Sequence, residues 1–380
     1  MKSILIKFRL LIDKTINSII DYTLNRKEVK PIIKEIGPLS NPPGMQQWYE
    51  KWKVLGTPNK NYYRIYSKYI GTEINIVPDN LCHNVIVPLL NPKRFISTYA
   101  DKNLFDKFLN RCDGEVLTPP TILRCIDGVY YDSKYMPITD CSKVESALDS
   151  YDSVIVKSSI DSSGGKGVQF FDRRNTSWVE RDSKRPLSLR LLMSEMGGNF
   201  ILQPIMVQSA FMAKLGHTSV NTIRMAVYRS VVDNRCHVLR SLIRIGKNGS
   251  FVDNAHAGGV FVGIDDNGKL GNYCCDQFGK KSDTFNGINF SSENLIIPSY
   301  GAIKKFAEEV GSRIPHLRLL GLDIMLDKNN KPILIEYNVK AFSPWLFQFS
   351  SGTLFREYTD EIIEYCRDHK SEATRLFISF

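Results

Sequence analysis

The chain has 380 residues, 43% hydrophobic and 24% charged, which excludes a disordered or fibrous protein and leaves ample material for a buried core in two or three domains. A net charge of +10 points to anionic partners: nucleotide phosphates, an acidic polymer or an anionic membrane surface. Eight scattered cysteines form no C-x-x-C pair, so no zinc or redox motif is expected and a reducing, cytoplasmic setting fits.

No apolar run approaches the ~18 residues of a membrane span. Lys7, Arg9, Asp13 and Lys14 interrupt what would otherwise resemble a signal-peptide core. Instead, Ile4, Leu5, Phe8, Leu11, Ile12, Ile16, Ile19 and Ile20 recur at helical spacing, which predicts a basic amphipathic helix over residues 2–24. Such a helix packs on its own protein, pairs with a second copy, or docks on an anionic membrane face or a membrane-bound partner.

Residues 31–58 are punctuated by Pro and Gly and are expected to be a connector leading to a helix around 46–54. The aromatic series Trp48, Tyr49, Trp52, Tyr62, Tyr63, Tyr66 and Tyr69 is assigned to the core. Branched runs between Ile76 and Leu90 predict strands, residues 101–109 a helix, 121–125 and 129–132 a hairpin, and 142–149 a helix capped by Ser142. Strands alternating with helices give a mixed α/β preamble ending near Asp152.

From Val154 to Asp172 a branched strand ends in Lys157, and a loop of small residues, Ser162-Ser163-Gly164-Gly165-Lys166-Gly167, leads into another strand. Glycines let backbone N–H groups approach phosphate, and lysines add positive charge; a plain flexible hairpin is the alternative. The Walker A pattern is absent, and the downstream element reads as strand rather than helix. Residues 187–196 predict a helix and 199–205 a strand; 221–228 and 236–245 predict adjacent strands carrying Arg224, Arg240 and Arg244. Asn254, His256, Gly258 and Gly259 lie in a turn where backbone could approach a ligand closely. Vicinal Cys274 and Cys275 are expected as reduced core thiols, and residues 300–314 as an amphipathic helix.

Two apolar runs, 321–326 and 332–338, flank a polar tip and predict a hairpin. A two-residue turn at Asn329-Asn330 would set Leu326 opposite Ile333 and Asp323 opposite Glu336, with Asn338 on the face of Glu336. Facing carboxylates repel by about 3 kcal/mol at 5 Å and an effective dielectric of 20. Either they point into water or a hard divalent cation lies between them. An aromatic loop over 341–352 and a helix over 353–366 follow.

In this order, Lys157, the small-residue loop, Asn221-Thr222-Ile223-Arg224, His256-Ala257-Gly258-Gly259, Gly321-Leu322-Asp323-Ile324 and Ile335-Glu336-Tyr337-Asn338 resemble the sugar-transfer associated ATP-grasp proteins of the ATP-grasp superfamily from about residue 60 to 368. The resemblance implies an α+β ATP-grasp fold with two lobes sandwiching ATP. It divides the chain into an N-terminal helix and connector (1–58), a preamble domain (59–152) and an ATP-grasp domain (153–368), with a lid lobe over about 153–202 and a metal-binding lobe over about 203–368. It gives Lys157, Ser163, Gly164, Gly165, Lys166 and Gly167 to the ATP phosphates and Ile201, Leu202 and Gln203 to the adenine hinge. Asp323, Glu336 and Asn338 are given to Mg2+ or Mn2+, Arg224 and Lys166 to catalysis, and Asn254, His256, Gly258 and Gly259 to substrate. The implied reaction is carboxylate–amine ligation through an acyl phosphate in polysaccharide or related glycan synthesis. The substrates would be a small carboxylate and an amine or sugar, and no nucleic acid is expected. Phosphoryl transfer to a hydroxyl, or a non-catalytic nucleotide-binding partner of a glycosyltransferase, is the alternative. Many relatives carry an acid after the hinge for the ribose; here Gln203 is followed by Pro204.

Overall fold

A computed structural model describes residues 8, 11–12, 15–16, 18–19, 21–109, 118–160, 167–175, 177–250, 253, 255–340 and 342–372. Expectations for Ile4, Leu5, Lys7, Arg9, Asp13, Lys14, Ile20, Ser162, Ser163, Gly164, Gly165, Lys166 and Asn254 fall outside these residues. The chain divides into two compact units. One comprises Met1–Ile96, Phe211–Ile324 and Tyr337–Phe380; the other comprises Ser97–Ala210 and Met325–Glu336. Both draw on non-consecutive segments, whereas the expected domains were consecutive.

The smaller unit is built on an antiparallel sheet of β1 (Leu123–Ile126), β2 (Val129–Tyr131), β3 (Ser153–Ser158), β4 (Val168–Arg174), β5 (Ser177–Glu180) and β6 (Phe200–Pro204). Its order is β2-β1-β6-β3-β4-β5. Val154, Val156, Phe171, Leu192, Phe200 and Leu202 form its core with Leu123 and Cys125. The helix Leu189–Met196 starts at Ser188, whose side chain accepts from the Leu191 N–H, and stops at Gly197 in the left-handed region (φ 66°). The expected Ser142 cap is replaced: Ser142 donates its N–H and Oγ–H to Asp140, at 2.9 and 2.7 Å.

The larger unit contains β7 (Thr222–Arg229), β8 (Cys236–Ile245), β9 (Val260–Ile264), β10 (Cys274–Cys275) and β11 (Lys281–Ser282), and most of β14 (Leu319–Leu326). The small hairpin β12 (Thr284–Phe285) and β13 (Ile288–Asn289) stands apart. The sheet order is β11-β10-β9-β8-β7-β14-β15, with β15 (Pro332–Asn338) following β14. Cys274 and Cys275 are free and buried. The helix expected over 300–314 runs Tyr300–Ser312.

Three expectations change here. Within residues 76–90, positions 79–90 are helical rather than extended, as Asp79–Leu81, a π-turn Cys82–Ile86 and Val87–Leu90. Because Leu81, Cys82, Val85, Ile86, Val87, Leu89 and Leu90 are all buried, the apolar run shows no helical period. Pro31 opens the helix Lys30–Ile36 rather than a connector, since a first-turn proline forfeits no helical hydrogen bond. The aromatic loop contains the helix Pro344–Ser350, whose apolar side chains enter the same core as Trp48, Trp52, Tyr62, Tyr63 and Tyr66. Trp48 and Trp52 donate their indole N–H groups to the Ile76 and Ile74 carbonyls at 2.7 and 3.1 Å, so both rings are buried with their polar edge satisfied.

Candidate active site

In the smaller unit, Lys157 lies near the end of β3, paired in register with Ile201 on β6 and Val168 on β4. Its ammonium donates to Gln203 Oε1 at 3.2 Å, and the Gln203 amide donates in turn to the Pro119 carbonyl at 3.3 Å. Lys157, Ile201 and Gln203 line one pocket together with Lys102, Asp106 and Ile335. Leu202 does not: its side chain turns to the opposite face, into the sheet core, as strand alternation requires. Gly167 sits at φ 72°, and a Cβ there would come within 3.0 Å of the Ser158 Cβ, so this position needs glycine.

Lys102 was not singled out by sequence. It opens a turn, Lys102–Leu104, capped by the Asp101 carboxylate, which accepts the Asn103 N–H at 2.9 Å. The Lys102 ammonium lies 3.0 Å from Glu336 Oε1, with the two side chains 12% and 32% exposed. Burial pulls the Lys157 pKa down to about 8; Glu336 opposes that fall and Lys102 adds to it. Behind the pocket, Asp106 takes charged hydrogen bonds from Arg124 and from the Tyr135 hydroxyl, and Arg124 also donates to the Asn103 carbonyl at 2.6 Å. Helical spacing alone gave no sign that Lys102 and Asp106 would share this pocket with Lys157.

In the larger unit, antiparallel pairing sets Arg224 on β7 directly opposite Asp323 on β14. The guanidinium binds the carboxylate in a fork, Nε to Oδ1 at 2.5 Å and Nη2 to Oδ2 at 2.8 Å. Arg244 on β8 reaches the same Oδ2 at 3.3 Å and Asp253 at 3.1 Å. Thr222 donates its hydroxyl to Asp253, and the Asn338 amide donates to Asp323 at 3.3 Å and to the Gly321 carbonyl at 3.2 Å. Burial alone would raise Asp323, but Arg224 and Arg244 outweigh it and hold the carboxyl below its usual range. Asp253 goes the other way: burial raises it despite Arg244.

The expected pairing of two acids rested on a two-residue turn, and the turn differs. The Asp327 N–H donates to the Lys331 carbonyl at 2.9 Å and the Asn330 N–H to the Asp327 carbonyl at 2.8 Å, with Asn330 at φ 60°. Three residues, 328–330, therefore form the tip, which moves the register by one at its start. The two acids find cations instead, Asp323 two arginines and Glu336 a lysine. Among the described residues no group of three or more His, Cys, Asp or Glu side chains is gathered for a metal ion. Oxygen donors are the right chemistry for a hard cation, and Glu336 and Asn338 share a strand face; Asp323 would join only in exchange for an arginine contact.

His256 occupies a short turn, Ala255–Ala257, where it is exposed and its Nδ1 pairs with Gln277 Oε1. Gly258 is in the left-handed region at φ 84°, while Gly259 is buried at the start of β9.

No curated protein matches the chain. Similar solved structures include the ATP-grasp ligase PsnB complexed with a phosphomimetic variant of its minimal precursor, Mg and ADP (12% identity, 73% of this chain, 62% of that one, TM-score 0.40). Others are D-alanyl-alanine synthetase A from Vibrio cholerae O1 biovar eltor (13% identity, 73% and 67%, TM-score 0.41) and the D-alanine-D-alanine ligase from Coxiella burnetii (12% identity, 73% and 59%, TM-score 0.39). The chain thus spans 62% of the length of PsnB and 59% of the Coxiella enzyme. Across residues 83–363, which include every charged side chain described above, the sequence matches the family described as sugar-transfer associated ATP-grasp, and the chain belongs to that family.

Proposed function

We propose that the chain is an ATP-dependent ligase that joins a carboxylate to an amine through an acyl phosphate, acting on a glycan or a glycan precursor. The observation that carries this reading is the pocket lined by Lys102 and Lys157, two ammonium groups near the Glu336 carboxylate, while the pocket's other acid, Asp106, is engaged by Arg124. Two ammonium groups at one pocket wall, one of them desolvated, suit an anionic ligand, and a nucleotide's phosphates have the needed charge. Ile201 offers the pocket an apolar wall, and Gln203 fixes the Lys157 ammonium.

In this reading Glu336 and Asn338, with Asp323 after exchange of an arginine contact, hold Mg2+ or Mn2+. The metal, when bound, disperses charge on the transferred phosphoryl group. Arg224, released from Asp323 or sharing it, presents its guanidinium to the developing negative charge. Lys166 and the small-residue loop 162–167 belong to the ATP phosphates in the same reading. The glycan setting follows from the family's description, and the donor acid and acceptor are small molecules on the same basis.

Purified protein incubated with ATP, Mg2+ or Mn2+, and a panel of amino acids and amino sugars should release ADP and form an amide. ADP with a stable phosphoester would select the phosphotransferase reading. No ADP with any acceptor, together with unchanged cellular function of Asp323→Asn and Glu336→Gln variants, would make the chain a non-catalytic partner.

A further inference from the structure

At the N-terminal end of the larger unit, Phe8, Leu11, Ile19 and Tyr22 are helical residues with 59%, 61%, 59% and 66% of their surface exposed. Thr15 lies between them, also exposed, so steps of three, four, four and three residues run a single file along one helix face. Isolated exposed apolar residues need no explanation, but a contiguous file of them on one face does. The helix is held elsewhere. The Asn84 amide donates to Asp21 at 2.7 Å, and Val29, in the π-turn Asn25–Val29 that follows, is fully buried. Ile12 and Ile16, beside the file, are partly covered.

We propose that this file is the seat of an anionic lipid surface, on which the helix lies in the interfacial plane. Charge complementarity favours lipid. Long basic side chains beside such a file reach headgroup phosphates while its apolar side chains enter the acyl boundary. Beyond Tyr22, Arg26, Lys27, Lys30 and Lys34 form a run of basic residues, all four exposed. Tyr22 at the end of the file has the amphipathic ring suited to the headgroup level. A second copy is a poorer occupant, because two chains of net charge +10 repel one another. The helix lies on the membrane rather than crossing it, since no helix among the described residues is long and apolar enough to cross.

The test uses the full chain and sucrose-loaded vesicles, either pure phosphatidylcholine or phosphatidylcholine with roughly 30% phosphatidylglycerol. The protein should sediment with the anionic vesicles only, and its partitioning should fall about tenfold between ~0.05 and ~0.5 M salt. The double variant Phe8→Glu/Ile19→Glu should lose about tenfold or more in partitioning with an unchanged melting temperature, because both side chains are mostly in water. Arg26→Glu/Lys30→Glu should remove most of the salt dependence. No sedimentation of the unaltered chain, equal sedimentation with neutral vesicles, or unaltered binding by the Phe8→Glu/Ile19→Glu variant overturns the proposal. So does a concentration-dependent dimer that Phe8→Glu dissolves, which would give the file to a second copy.

Discussion

The two units handle buried charge in opposite ways. In the larger one, Arg224, Arg244, Asp253 and Asp323 form a balanced set of two cations and two anions, fixed by the register of β7, β8 and β14. In the smaller one, Lys157 lies at a pocket wall with Lys102 and Glu336 nearby, and desolvation there lowers its proton affinity. Ion pairing within the sheet holds Asp323 charged, whereas burial at the pocket draws Lys157 toward its neutral form.

The largest expected effect comes from breaking the balanced set. Asp323→Ala strands Arg224 in the interior and should cost about 3–5 kcal/mol in urea unfolding; a loss below ~1 kcal/mol would mean that the set is not a unit. The next concerns an acid of the larger unit for which burial, with no cation opposing it, is the cause of the shift. Burial raises Glu28 to about 7. The folded state therefore holds a proton more tightly than the unfolded chain between the ordinary glutamate pKa and that value. Stability conferred by the proton is full below pH 4.5 and falls by about 3 kcal/mol as the pH rises to about 7. Thermal melts of Glu28→Gln across that range should lack this slope, and an identical slope in the variant would assign it elsewhere. Lys157→Met should cut ADP formation about a hundredfold, near 2.7 kcal/mol, while leaving or raising the melting temperature, since a desolvated ammonium is removed. A fall in stability instead would place Lys157 with the balanced, structural charges. Lys102→Met, whose partner Glu336 is 32% exposed, should weaken ATP binding by about tenfold in isothermal titration.

Legibility in the sequence followed locality. Lys157 at the end of a branched strand and the hairpin expected over 321–338 were visible, because each is defined by neighbours within a few positions. The partner of Arg224 lies 99 residues away and is fixed only by the pairing of β7 with β14, which strand order along the chain does not reveal. Burial on all sides also erased signal: residues 81–90 are helical, but short branched apolar runs without a helical period fit strands equally well. The hairpin tip was misjudged by one residue because Asn330 alone, rather than Asn329 and Asn330 together, takes the left-handed conformation.

Gln348 lies fully buried in the helix Pro344–Ser350. Its side-chain amide accepts from the Val77 N–H at 2.7 Å and donates to the Val77 carbonyl at 3.0 Å, across 271 residues. The peptide unit at Val77 is thus satisfied by a side chain made 271 residues later. On a ribosome adding about 5–20 residues per second, the segment around Val77 waits tens of seconds for its partner, so the early aromatic cluster emerges unfinished and is a natural client for chaperones until then.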